Sequence, residues 1–580
     1  MAPALLISVL GAALVVPGLA VPAGSFVAWL RAAPPDMLDQ LVTGARLFKI
    51  GLIGLGLFLI VLSRLPIWTA RTRAATESAP SARSKPRGRL ALAALVILLV
   101  VGSGLRLYGL DGGLWYDEIL TNVRYARIPF GEIVSTYDSQ NQHILYSVLA
   151  HASFRLFGES AWSLRLPAAL FGIGSIWALY LVGRQLASRR EAVLAAGFLT
   201  FSYHHVWFSQ NARGYSALLF WTLLSSWLIV RALREGRPRL WVLYAAAAAL
   251  GTYTHTTMLF VILAHFLIYA TAVLHRPTEI APSRWTGLFL GFGLSGLLIF
   301  QLYALVLPQT FGGTLWQGAR NTVTTWKNPV WTVFELLQAV DISFPARVVA
   351  IVIVLVFGAG FLAFCRHNLM VVQLFVLPPM IGAVIILAIG HPLFPRSFFP
   401  AIGFATLILA GGSMELGRLA TRLLRLAPAY GPRVGTTLAA TLIFLSAASV
   451  PLAYAPKQDY LGALRFIESM QRPGDIVTTV GVTTLAYTSF YQVEWQAVET
   501  REDLNAVRAR AARTWLLYTL PVHLRSDYPD ILASIQQDFQ VVKTFYGTLG
   551  GGTIFVCRSD SPPAGAAANR EDPSPRRRMY

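Results

Sequence analysis

Two adjacent carboxylates, Asp117 and Glu118, close the stretch Leu114-Trp115-Tyr116-Asp117-Glu118, a few residues beyond a long apolar run at 90–110. A charge at the edge of a membrane span is costly unless it has water, a partner or a task. One task open to a carboxylate is to take a proton from a hydroxyl as general base. Three further polar clusters recur at similar boundaries and carry Arg213, Lys327, and His391 with Arg396. Cationic donors of this kind can hold a phosphate leaving group. A base and a set of phosphate-binding cations are what a glycosyl transfer needs. On these residues alone either Asp117 or Glu118 serves as the base, and a solvated turn with ordinary loop acids accounts for the pair taken by itself.

The elements that must position these groups are membrane helices. The chain has 580 residues, of which 55% are hydrophobic and 13% charged, against about 25% charged in soluble domains. Its mean hydropathy is +0.56. Apolar stretches of roughly 17 to 25 residues recur along it, the signature of a polytopic α-helical membrane protein. A net charge of +20 would point to nucleic acid in a soluble protein. Here the arginines sit in short loops between apolar runs, so they read as topology signal, and no nucleic-acid partner is expected. The two cysteines, Cys365 and Cys557, fall near opposite faces in the topology below. Neither a disulfide nor a thiolate metal site is expected.

The first run, 4–21, lacks a basic leader and reads as a membrane helix; a second follows at 50–65. The Ser/Ala/Pro-rich segment 71–89, with Arg71, Arg73, Arg83, Lys85, Arg87 and Arg89, reads as a cytoplasmic linker. It separates a two-helix N-terminal addition, 1–89, from the main body, 90–455. With the linker inside, the 90–110 helix leads outward. Basic clusters at Arg184–Arg190, Arg231–Arg239, Arg276 with Arg284, Arg366 with His367, and Arg418–Arg433 then all fall inside. Apolar runs near 164–183, 191–208, 214–230, 240–254, 257–274, 286–307, 347–365, 369–389, 397–416 and 434–454 connect them, for about thirteen spans in all. The segment 143–157 is too short and too polar to count; it reads as a juxtamembrane or re-entrant helix lining a cavity. Four loops then face outward together: 111–142, 209–215, 308–345 and 391–396. The long one, 308–345, mixes Trp316, Trp326 and Trp331 with Arg320, Asn321 and Lys327, which suits a lipid head group.

After residue 455 the pattern changes to alternating helices (459–470, 501–512, 528–538) and strands (476–480, 514–519, 540–546, 553–557). This predicts a small α/β domain over 456–558 on the outer side. The tail, 559–580, is Pro/Ala-rich and then basic, and reads as disordered. There is no long internal repeat and no phosphate-binding glycine loop.

In order and spacing these motifs resemble those of GT-C glycosyltransferases, in the protein O-mannosyltransferase and aminoarabinose-transferase-like (family 39-like) group. Leu114-Trp115-Tyr116-Asp117-Glu118 is similar to that group's first-loop motif. Asn141-Gln142-His143-Ile144-Leu145-Tyr146 follows it, without the prolines often found there. Phe157-Gly158-Glu159-Ser160, Arg165-Leu166-Pro167-Ala168-Ala169-Leu170-Phe171-Gly172 and Trp207-Phe208-Ser209-Gln210-Asn211-Ala212-Arg213-Gly214-Tyr215 match strongly, and Pro395-Arg396-Ser397-Phe398 resembles a late Arg-Tyr element. Many members carry an acid at the position of Asn211. The resemblance covers about residues 90 to 420. It implies a GT-C-like fold whose 90–455 domain is catalytic. It also implies an inverting transfer from a polyprenyl-phosphate sugar lipid to a glycan, lipid or protein acceptor, on the outer face of the cell's inner (plasma) membrane. Asp117 is then the base and Glu118 a supporting carboxylate or acceptor contact. Arg213 and Arg396, with Lys327, bind the donor phosphate; His143 and Tyr215 shape the sugar site. No cofactor is expected, because arginines can neutralise a monophosphate leaving group; the paired acids could alternatively hold a divalent cation.

A lipid-linked sugar flippase and a polyprenyl-diphosphate glycan polymerase or ligase are the competing classes. No span has Asp or Glu in its middle, which argues against ion-coupled transport. The arginine pattern makes a direct prediction: a cysteine placed at Ser139, and native Cys557, stay unlabelled by a thiol reagent confined to the cytoplasm. Labelling of either from that side would reverse the topology.

Overall fold

The computed structural model describes residues 2–30, 38–64, 85–275, 284–313, 316, 323–343 and 347–560. Most of the 71–89 linker, Arg276, Arg320, Asn321 and the 561–580 part of the tail lie outside the described residues. The chain forms two compact units. One comprises Met1–Leu110, Arg124–Asn321 and Trp326–Tyr454; the other comprises Asp111–Val123, Thr322–Thr325 and Ala455–Tyr580.

The first unit is a multi-pass bundle. In hydrocarbon every backbone N–H and C=O must be satisfied within its own segment, so the apolar runs fold as helices. Among the described residues nine helices are long and apolar enough to cross a membrane, or ten if Ala4–Ala20 and Ala23–Leu30 form one span. Those two bend by 96° at Val21-Pro22, where the proline lacks an N–H and disfavours helix in the residue before it. The count of about thirteen is not reached by length and composition, because three expected runs fold as shorter pieces. The run near 191–208 splits into Arg189–Thr200 and Tyr203–Ser209. Ser202 starts the second piece by accepting the His205 amide at 3.3 Å. Pro238–Thr254 has 17 residues, roughly 25 Å of helix against a hydrocarbon core of about 30 Å. The run near 286–307 becomes a π-helical Gly287–Gly293 followed by Leu294–Tyr303. Glycine is needed there, since a Cβ on Gly291 would stand 2.7 Å from the Trp241 ring. The segment 143–157 folds as Ile144–Phe157, 14 residues, about 21 Å and short of a crossing.

Small residues and one buried cation tie the bundle together. The helices Arg347–His367 and Ile402–Leu423 touch backbone to backbone: a Cβ on Gly412 would run into the Val356 carbonyl, and one on Gly360 into that of Ile408. Glycines at such a crossing let dispersion act between main chains. Arg106, at the end of Lys85–Leu107, is fully buried. It donates to the carbonyls of Gly102 (3.0 Å), Leu199 (3.1 Å) and Thr200 (3.3 Å). It therefore binds its own helix end to the carbonyl end of Arg189–Thr200, where a cation is favoured.

The second unit carries a five-stranded sheet: β1 Asp475–Thr479, β2 Gln496–Ala497, β3 Arg513–Tyr518, β4 Gln540–Phe545 and β5 Ile554–Ser559, in the order β2-β1-β3-β5-β4. β1 pairs in parallel with β2 and β3, while β5 is antiparallel to β3 and β4. The expected strands are present; β2 is an addition, two residues long and too short to show as a pattern. Helices Tyr460–Met470, Arg501–Arg510 and Pro529–Asp538 accompany the sheet. Both cysteines are free thiols. Cys557 is fully buried on β5, and burial pushes its thiol up to about 12. Its silence would therefore report burial and not sidedness, so Tyr546→Cys, at a residue 80% exposed, is the better reporter of sidedness.

The parallel register places Asp475 opposite Arg513. The Asp475 carboxylate accepts from Arg513 Nε (2.8 Å) and Nη2 (2.6 Å), Trp515 Nε1 (3.0 Å) and the Arg472 amide (2.9 Å). Burial pushes this carboxyl up, but the bonds from Arg513, Trp515 and Arg472 and the guanidinium charge outweigh it and hold it below its ordinary 3.8. On acidification the unfolded chain therefore protonates first. The contribution is intact above about pH 5 and is lost as pH falls through the folded-state value. At pH 7, Asp475→Ala leaves Arg513, Trp515 Nε1 and the Arg472 amide without this acceptor. That should raise proteolytic cleavage of the domain in the full-length protein, where cleavage follows the open population. Cleavage at the wild-type rate would show that the pair contributes nothing.

Candidate active site

The Asp117-Glu118 pair lies at the start of a six-residue helix, Tyr116–Thr121, in the second unit. Leu114 and Trp115 are buried and anchor the approach. Trp115 is the extended N-cap and Glu118 the third helical residue. Glu118 Oε2 accepts the Trp115 amide at 3.3 Å. This is one half of a capping box; an indole cannot supply the reciprocal acceptor. Glu118 is fully buried, so its carboxylate is committed to starting the helix. Asp117, one position earlier, is only partly buried, and its carbonyl accepts from Thr121 Oγ1 at 2.8 Å. Both acids gain from the positive end of the helix.

The cationic residues gather in the first unit. After the helix Tyr203–Ser209, Gln210 Nε2 donates to the carbonyls of Arg106 (3.3 Å) and Tyr108 (2.5 Å), which fixes the turn against the end of Lys85–Leu107. Asn211 is fully buried, and its carbonyl accepts the Arg213 amide at 2.6 Å. Arg213 is 2% exposed. Its Nη1 donates to Asn141 Oδ1, its Nη2 stands 3.1 Å from His143 Nε2, and its guanidinium lies 5.9 Å from the Tyr215 ring centre. The Gly214 amide donates to His143 Nδ1 at 2.9 Å. A Cβ on Gly214 would sit 2.6 Å from that same nitrogen, so only glycine lets the backbone come this close.

His255 joins this cluster, and the sequence reading missed it. Its ring centre is 4.6 Å from that of His143 and 5.4 Å from that of Tyr215. The only signal is the polar hexapeptide Thr252-Tyr253-Thr254-His255-Thr256-Thr257 between two apolar runs. Arg396 lies on the 3-10 helix Pro395–Ala401. Its guanidinium covers the Phe394 ring at 4.2 Å, and its charge acts on both His143 and His255. Phe399 packs on Phe208 at 4.2 Å and Phe208 on Tyr215 at 5.2 Å, so an aromatic wall joins the Arg396 element to the Arg213 turn. Lys327 follows Trp326, whose ring packs on Phe394 at 5.6 Å. His391 meets the loop before His143 through Gln140, at 3.5 Å. The structure thus brings Arg213, His143, Tyr215 and Arg396 together with His255. Lys327 and His391 stand one residue contact further out, and Asp117 and Glu118 belong to the other unit.

Burial, then the charge of Arg213, then His255 and Arg396, holds His143 well below the usual histidine range. Burial and the two arginines pull His255 down to about 3. Both rings are neutral at pH 7. A neutral His143 that accepts the Gly214 amide on Nδ1 must carry its one proton on Nε2. That N–H and the Arg213 Nη2 donors therefore converge on one small region. Converging donors in a buried setting are a receptor for anionic oxygen. Among the described residues no group of three His, Cys, Asp or Glu side chains could hold a metal ion.

Residues 142–303 match the family model described as dolichyl-phosphate-mannose-protein mannosyltransferase. A putative mannosyltransferase of Bacillus subtilis, YkcB, is 32% identical over 116 residues, a match spanning 20% of this chain and 16% of that protein's length. Among solved structures, the apo oligosaccharyltransferase of Archaeoglobus fulgidus superposes with a TM-score of 0.50 at 11% identity, over 80% of this chain and 75% of that one. Apo ArnT from Cupriavidus metallidurans gives 0.45 at 14% identity, over 82% and 98%. Residues 142–303 are thus similar to the dolichyl-phosphate-mannose-protein mannosyltransferase family, and the fold is like that of the archaeal oligosaccharyltransferase.

Proposed function

We propose that this protein is an integral-membrane glycosyltransferase that takes a sugar from a polyprenyl-phosphate donor and transfers it, with inversion, to a hydroxyl-bearing acceptor on the outer face of the inner membrane. The observation that carries the reading is the buried donor cluster of Arg213 and His143 with Arg396 beside it. The phosphodiester of such a donor, and the phosphate monoester it becomes when the sugar leaves, present the anionic oxygens such a cluster receives. The family matched at 142–303 is itself named for a lipid-phosphate sugar. The apolar bundle provides a solvent for the lipid tail, and the arginine-rich loops support the outward orientation.

In this reaction the acceptor oxygen attacks the anomeric carbon from the face opposite the phosphate. The bond between that carbon and the phosphate oxygen breaks, and its electron pair stays with the phosphate. Arg213 and Arg396 stabilise the charge that develops there, with Lys327 and His391 at the periphery. His143 donates its Nε2 proton as a hydrogen bond without giving it up, which a neutral ring in this tautomer can do. Tyr215 and Asn211 border the sugar, and Asp117 takes the acceptor proton. The role of Asp117 comes from its motif and from the contrast with Glu118, whose carboxylate already starts the helix. Two arginines supply the charge that a divalent ion supplies for diphosphate leaving groups.

Two measurements test the assignment. Asp117→Asn should lower turnover about 10²–10⁴-fold with donor binding kept, in a wild-type background whose activity survives a chelator. Glu118→Gln, which retains an acceptor for the Trp115 amide, should cost less. Full activity in Asp117→Asn with a dead Glu118→Gln would exchange the two roles, and loss of wild-type activity on chelation would make the pair a metal site. For the phosphate, Arg213→Ala should weaken donor binding by about 2–5 kcal/mol. Arg213→Lys should recover only part, since it lacks the fork, and the less buried Arg396 should lose less on truncation. Unaltered donor affinity in Arg213→Ala and Arg396→Ala would end the phosphate assignment.

A further inference from the structure

A base must be held in register with the proton it removes, and a displacement of about 1 Å can cost a hundredfold in rate. The helix that carries Asp117 is six residues long, too short to hold itself. Its first amides have no acceptor within the helix. Glu118 meets the Trp115 amide from inside. The next one, of Tyr116, is met by Gln458, 342 residues away, at 3.0 Å. Gln458 is 1% exposed, and its own amide is oriented by a bond from Nε2 to Thr519 Oγ1 at 3.2 Å, just past the end of β3. Both ends of this side chain are thus in use, one on the first-loop helix and one on the sheet of the same unit.

Tyr460 stands beside it and is fully buried. Its ring meets that of Tyr487 edge-on at 5.6 Å, and Tyr487 OH donates to the Tyr460 carbonyl at 3.2 Å. The phenol lies close enough to Tyr116 and Asp117 to feel both. Burial first, then these neighbours, keeps it protonated far above neutral pH. It is therefore a rigid, neutral ring packed beside Gln458. Gly113 lies against Leu461 in the same contact.

We propose that Gln458 is a positioning residue for Asp117: the C-terminal domain caps the short first-loop helix from outside and so holds the helix that carries this carboxylate. The inference rests on the reading of Asp117 as the base of a glycosyl transfer. It gives the C-terminal domain a task in the reaction, and it makes the Asp117 loop and the residues after Ala455 a single working part.

The test uses the full-length protein in native membranes, with polyprenyl-phosphate mannose as probe and released polyprenyl phosphate as readout, alongside hydrogen exchange of the 114–121 peptide. Gln458→Met keeps the length and loses both hydrogen bonds. It should lower kcat roughly tenfold to a hundredfold, leave the donor KM at the wild-type value, and speed exchange at 114–121. Gln458→Glu keeps an acceptor for the Tyr116 amide and should restore most of the protection and part of kcat. Thr519→Val removes the orienting hydroxyl and should give a smaller loss in the same direction. Wild-type kcat and wild-type exchange in Gln458→Met would overturn the proposal, as would a change confined to KM. If the wild-type protein turns over no lipid-phosphate sugar, the transfer reading fails, and the exchange experiment still decides whether Gln458 holds the Asp117 helix.

Discussion

A guanidinium cannot leave water cheaply, and Arg213 has left it almost completely. Much of the first unit is arranged around that fact. Asn141 meets the group with its carbonyl dipole, which solvates a charge without cancelling it, and His143 stands beside it with its Nε2 edge. Holding His143 in place requires the Gly214 amide on its other nitrogen, and the amide can approach only because residue 214 has no Cβ. The turn is pinned by Gln210 to the end of Lys85–Leu107, and that end is pinned by Arg106 to the carbonyls of Leu199 and Thr200. Together these links hold the buried cation, the imidazole and the turn in one arrangement. A dianionic phosphate arriving there would find donors already aimed, with no reorganisation left to make.

Neutral histidines suit such a place better than charged ones. Two more positive charges beside Arg213 and Arg396 would repel, and burial already disfavours them. The imidazoles instead lend directional N–H groups and flat aromatic edges. Tyr215, His143 and His255 meet at ring distances of 4.6 to 5.6 Å, which excludes water from one side of the cations and raises the strength of whatever bond they make.

What the sequence showed and what it hid follow from the range of the forces involved. Apolar runs and arginine placement are local, so the multi-pass bundle and the α/β pattern after residue 455 were legible. The bend at Val21-Pro22 was written in a proline, yet the break at Phe201-Ser202 was not, because serine continues a helix as readily as it starts one. The expected spans, about thirteen, ran ahead of the nine or ten that length supports among the described residues, since hydropathy marks where apolar residues lie and not how far a helix stays unbroken. Arg213, Arg396, His143 and Tyr215 stood out by their motifs, and the fold gathers them. His255 did not, being one histidine among threonines. The bond from Gln458 to Tyr116 joins residues 342 apart, and nothing in a glutamine after a lysine announces a cap for a distant helix.

The adjacency of the two acids has a geometric reading of its own. Successive residues on a helix point about 100° apart, so two neighbouring carboxylates cannot both reach back to the N-cap. Only the third helical position is spaced to do so, and that position is Glu118. Asp117 is then turned to another side, partly open, on a helix whose start is held by its neighbour from within and by Gln458 from outside. A pair that looks redundant in the sequence becomes two different groups: one carboxylate whose oxygen is taken up in making the helix, and one presented by it. Removing the first would loosen the second, and removing the second would leave the fold intact, which is the asymmetry expected of a support and the group it supports.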